Sequence, residues 1–102
     1  MPRVKEKLVG TQLLVPAELR DRARALAIVR NESVARIWRE AVEKGGIDLV
    51  EANARGALDA LDAVLATSSM PRTTALETIL AKNWTAQDLT RADVRKHLGL
   101  PK

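Results

Sequence analysis

The sequence predicts a mainly α chain: one short strand that pairs with its copy in a second chain, two helices, and a helical C-terminal extension. Three observations predict it. Residues 11–15 alternate in the way of a strand with one covered face and run straight into Pro16. Two stretches at helical spacing follow, separated by Asn31-Glu32-Ser33 and stopped by Gly45-Gly46. From residue 47 onward apolar residues recur every three or four positions, broken by loop composition near residue 70.

Each element has a local cause. Thr11, Leu13 and Val15 share one face of the strand, because successive side chains point to opposite sides. Pro16 lacks an N–H, which ends a strand ladder and suits the opening turn of a helix. Leu19, Ala23, Leu26 and Ala27 then lie on one side of the first helix. Asn31 tolerates the left-handed conformation that closes a helix, and Ser33 is a natural N-cap for the next one. Val34, Ile37, Trp38, Ala41 and Val42 form the apolar stripe of this second helix.

One strand and two short helices do not close a core alone. A lone strand leaves a row of unpaired backbone groups, and the simplest partner is the same strand of a second copy. The expectation is an obligate homodimer, its two strands forming an antiparallel ribbon backed by four helices. Leu13, Val15, Leu19, Leu26, Ile37 and Trp38 are its expected core. A Trp on an apolar helix stripe is ordinarily core, so Trp38 belongs there and not in a stacking role.

These residues resemble the ribbon-helix-helix DNA-binding proteins. The likeness lies in TQLLVPAEL, an alternating strand running through Pro into a helix, and in NESVARIWREAV, similar to that family's Gly/Asn-x-Ser corner. It covers about residues 7–46, is carried by spacing more than by particular residues, and does not reach the C-terminal half. The same residues also fit an ordinary helical hairpin preceded by an extended arm.

The resemblance implies that outward strand residues read base edges in the major groove. Gly10, Gln12 and Leu14 are those residues here. Gln12 can pair bidentately with adenine, Leu14 can touch only a thymine methyl, and Gly10 adds no side chain. This departs from the usual two or three polar or basic readers, so indirect readout of DNA shape carries more of the specificity. The resemblance also implies that the start of the second helix clamps a phosphate through the amides of Val34 and Ala35, with the Ser33 hydroxyl in support. A pure capping role for Ser33 is compatible with that. Arg3, Lys5 and Lys7 fall on one side of an extended arm, placed either along flanking phosphates or in a solvated tail.

Composition bounds the partners. The chain has 102 residues, no cysteine and a formal net charge of +4. Up to Gly46 ten basic residues face six acidic ones, and beyond it seven face seven, so the whole excess sits on the first module. A dimer would double it, which favours a polyanion, although a charge of this size also serves solubility alone. Absence of cysteine excludes disulfides and thiolate metal sites and fits a cytoplasmic, nucleoid-associated protein. No apolar run approaches the roughly 18 residues of a membrane span, and the charged N-terminus lacks the apolar stretch of a secretory signal.

The chain thus divides into residues 1–46, for dimerisation and DNA binding, and 47–102, a helical extension. Val50, Ala54, Ala57, Leu58, Leu61, Val64 and Leu65 predict one long amphipathic helix over about residues 49–66, opened by Asp48 and Glu51 as a capping box. Residues 67–73 read as a loop. Short helices follow over about residues 75–83, opened by Thr74 and Glu77, and about 91–98, closed by Gly99. Thr85 and Asp88 suit a single turn between them.

Catalysis finds little support. His97 stands four residues after Asp93, but no second histidine, cysteine or nucleophile joins the pair, and a His near a helix C-terminus is expected from the dipole alone. Neither a metal nor a cofactor is expected. The expected function is a homodimeric, sequence-specific DNA-binding protein acting as a transcriptional repressor, with dimers able to sit side by side on repeated half-sites. Two alternatives stand beside it. One is an antitoxin-like protein whose residues 47–102 bind and neutralise a partner protein. The other is a plasmid- or phage-type accessory DNA-binding protein acting in partition or excision.

Overall fold

The computed structural model of the protein describes residues 16–101, and every element among them is helical. In chain order these are α1 (Ala17–Arg30), α2 (Val34–Lys44), α3 (Ile47–Ala52), α4 (Arg55–Leu65), α5 (Arg72–Ala81), a 3-10 turn over Gln87–Thr90, and α6 (Ala92–His97). The predicted fold class is therefore corrected: the described residues hold no strand and no sheet. The segment read as a strand, residues 10–15, lies outside the described residues.

The physical reason for the correction is the surroundings of α1. A helix in a small strand-paired module would show one apolar stripe. Here Ala23, Ala25, Leu26, Ala27 and Ile28 are all buried, and at 100° per residue they encircle the helix axis. α1 packs against α2, α3, α4 and α5, so it is the central helix, covered by its own C-terminal half. One core joins Leu26 and Ile37 to Val50, Leu58, Leu61, Leu76 and Ile79, with no break at Gly46.

Local chemistry sets the ends. Asn31 adopts φ 55°, ψ 48°, and the amides of Asn31 and Glu32 donate to the carbonyls of Ile28 and Ala27. That pair of bonds is the Schellman arrangement, which satisfies the last carbonyls of α1. Gly45 at φ 99° closes α2 in the same way, with the Gly46 amide donating to Ala41. Asn83 and Gly99 repeat the device after α5 and α6, the amides of Trp84 and Leu100 donating to Ile79 and Arg95. Gly99 has a second constraint. It sits at φ 69°, and a Cβ there would run into the side chain of Ser69, whose amide donates to the Gly99 carbonyl at 3.0 Å.

The long helix expected over residues 49–66 is two helices, α3 and α4, interrupted at Asn53 and Ala54. Ala54 takes φ −131°, ψ 22°, outside the helical region. The break lets Val50 and Glu51 turn toward one part of the core while Leu58, Leu61 and Leu65 turn toward another, an arrangement one straight rod cannot provide. Asp48 and Glu51 form no capping box; Gly46 holds the N-cap position of α3, and both carboxylates bind Arg22. Thr74 and Glu77 likewise lie inside α5, which starts earlier, after Pro71. The box at Thr85 and Asp88 does form. The Thr85 amide donates to Asp88 Oδ2 at 2.8 Å, and the Asp88 amide donates to Thr85 Oγ1 at 3.4 Å.

Candidate nucleic-acid interface

The corner between α1 and α2 is where the sequence places most of its expected contacts among the described residues. Ser33 has extended geometry, φ −76°, ψ 154°, and its hydroxyl oxygen accepts from the Arg36 amide at 3.1 Å. Ser33 is therefore a working N-cap. It spends its bond on Arg36, so the amides of Val34 and Ala35 at the positive end of the helix are not taken by this cap. Ser33 and Ala35 are exposed and Val34 is half-buried.

Beyond this start, α2 presents three longitudinal strips. Ile37 and Ala41 face the core. Beside them run Val34, Trp38 and Val42, spaced four apart; Trp38 and Val34 are half-buried, and Val42 is 82 % exposed. On the far side lie Arg36 and Arg39, both exposed, together with Glu43. Among the described residues no carboxylate lies within ion-pairing distance of Arg36 or Arg39. The intervening acid, Glu40, is engaged elsewhere: both its oxygens meet the Arg30 guanidinium at 2.9 Å. That hydrogen-bonded fork holds the Glu40 carboxyl below its ordinary range, so it stays ionised and paired at neutral pH.

Other cations of α1 serve packing. Arg22 Nε donates to Glu51 Oε2 at 2.9 Å and Nη2 to Glu51 Oε1 at 2.6 Å, while Asp48 takes a further bond from the same Nη2. Glu51 is only 8 % exposed, and both its oxygens are held by this fork from α1. Arg24 binds Asp21 at 2.9 Å and Glu77 of α5 at 3.3 Å, and the Thr73 hydroxyl donates to Asp21 at 2.6 Å. No spacing rule announces partners 26 to 52 residues apart, so sequence reasoning missed this network.

The remaining expected residues divide plainly. Gly10, Gln12, Leu14, Arg3, Lys5, Lys7, Leu13 and Val15 lie outside the described residues. Leu26 and Ile37 are fully buried within one chain, and Leu19 and Trp38 pack half-buried at its edge. His97 and Asp93 have different partners. Asp93 is bound by Arg91 at 2.7 Å, which holds its carboxyl low, and His97 meets the ring of Trp84 edge-on at 5.5 Å.

A groove of about 850 Å³ lies near the C-terminus, lined by Thr90, Ala92, Arg95, Lys96 and Leu100. Its Arg95 donates three hydrogen bonds to the Pro101 and Leu89 carbonyls, which tie it to the C-terminal turn. No helix among the described residues is long and apolar enough to cross a membrane. In comparisons with known proteins no family model, no curated protein and no solved structure matches the chain.

Proposed function

We propose that the protein binds double-stranded DNA as a homodimer and acts as a sequence-specific transcriptional repressor. The observation that carries this reading is the partition of charge: the whole +4 excess precedes Ile47, while the C-terminal half is neutral. Phosphate contact is assigned to the start of α2, at Ser33, Val34 and Ala35, where amides not taken by the Ser33 cap and the helix dipole favour an anion. Arg3, Lys5 and Lys7 extend that contact along the flanking backbone. Base readout is assigned to Gln12, whose amide matches the N6 and N7 edge of adenine. The partially covered strip of Val34, Trp38 and Val42 supports association with a second copy. Packing of α4 and α5 onto α1 supports an architectural role for residues 47–102 over an inhibitor tail that folds only on a partner protein.

Selection of bound duplexes from a random pool tests the reading, with the recovered sequence then titrated against wild type and Gln12→Ala. A consensus site is expected, and Gln12→Ala should weaken binding to it by about 1–3 kcal/mol while leaving random duplex nearly unaffected. A pool that stays random after repeated rounds would reject sequence-specific binding. Equal losses on both duplexes would reject Gln12 as the reader.

A further inference from the structure

We infer that the outer face of α2 is a second, side-chain-built phosphate site for duplex DNA, with Arg36 and Arg39 as its cations. The inference rests on the DNA-binding reading and adds to it residues that neither strand alternation nor helix capping singles out. Residues three apart on a helix are neighbours, with Cβ atoms about 5–6 Å apart, so the two guanidinium groups can grip adjacent oxygens of one backbone. They line a shallow cleft of about 320 Å³ with Glu40, Glu43 and Lys44.

Charge accounting decides what that cleft accepts. Of its two carboxylates, Glu40 is turned away to Arg30 through two 2.9 Å contacts, a cation that it shares with the more distant Glu32 at 3.4 Å. Glu43 remains to oppose Arg36, Arg39 and Lys44, which leaves the face cationic. Elsewhere the arginines of α1 that touch carboxylates are consumed by them: Arg22 by Asp48 and Glu51, Arg24 by Asp21 and Glu77, Arg30 by Glu32 and Glu40. Arg36 and Arg39 are exposed cations with no such pairing among the described residues, one and nearly two turns beyond the Ser33 cap, where Arg36 adds to the positive end of α2 and Arg39 continues the cationic face along it. An exposed guanidinium without an ion pair among the described residues breaks none of their ion pairs when it is handed to a phosphate.

The test measures duplex binding by fluorescence anisotropy across a salt series, for wild type, Arg36→Gln/Arg39→Gln, and a control, Arg55→Gln/Lys82→Gln. The control removes the same charge from exposed positions of the neutral half. All substituted side chains are exposed, so folding is expected to be preserved, checked by circular dichroism. If each cation meets one phosphate, a dimer of the α2 variant loses four contacts, and the slope of log K against log salt becomes shallower by about 3–4. Affinity near 100 mM salt then falls by about 10³–10⁴-fold, with wild-type behaviour in the control and in Arg36→Lys/Arg39→Lys. An unchanged slope in the α2 variant, with wild type still binding, would overturn the inference and leave the DNA-binding reading standing. An equal change in the control would overturn it too, reducing the effect to net charge. Wild type that ignores duplex at every salt concentration would remove both.

Discussion

Leu26→Ala is expected to lower the unfolding free energy by about 3–4 kcal/mol, the range for a large aliphatic side chain cut back inside a packed core. Leu26 is wholly buried in the middle of α1, a helix gripped by α2, α3, α4 and α5. Removing three carbons there leaves a cavity that four separate helices cannot all move to fill. Thermal and urea denaturation followed by circular dichroism would read the loss, about 10 °C or more in Tm. The measurement also distinguishes two origins of the burial. If α1 is covered by its own chain, the deficit is the same at low and high protein concentration. A deficit that shrinks on raising the concentration would assign Leu26 to an interface between copies instead.

The second large effect is at Arg22. Arg22→Leu should cost about 3 kcal/mol, because Glu51 would remain a nearly buried carboxylate with its fork of donors gone. Asp48, far more exposed, can turn to water and contributes little to the penalty. The double variant Arg22→Leu/Glu51→Leu removes both charges and should recover a large part of the loss, since an apolar pair of similar volume replaces a buried ion pair at little cost. Denaturant titration of the two variants checks this. A single variant as stable as wild type would show that the α1–α3 junction does not depend on the pair.

Local chemistry was the legible part of this fold. Asn31, Ser33, Gly45 and Gly99 each act where the sequence places them, because a left-handed residue or a capping hydroxyl is decided within a few residues of chain. What was not legible depends on distance along the chain. α1 shows a plausible single stripe at Leu19, Ala23, Leu26 and Ala27, and nothing local reveals that Ala25 and Ile28 are covered as well. Ala25, a small residue outside that stripe, is suited to close helix approach and is buried by it. The break at Asn53 was hidden because apolar spacing continues through it, and the two halves of the pattern serve different neighbours.

The fold class went astray for a related reason. A period-two pattern over five residues implied a topology in which a second chain covers the helices, whereas α4 and α5 supply that cover to α1. At the site, the cap was readable but the cations were not. Arg36 and Arg39 look like any charged pair until Arg30 is seen to remove Glu40 from between them.

The central claim, that two copies of this chain together hold duplex DNA, is tested most directly by sedimentation equilibrium of the full chain with a labelled duplex carrying its selected site. The predicted result is a complex containing two chains per site, or a multiple of two where sites repeat. A chain that sediments as a monomer at micromolar concentration, separate from the duplex even in dilute buffer, would contradict it.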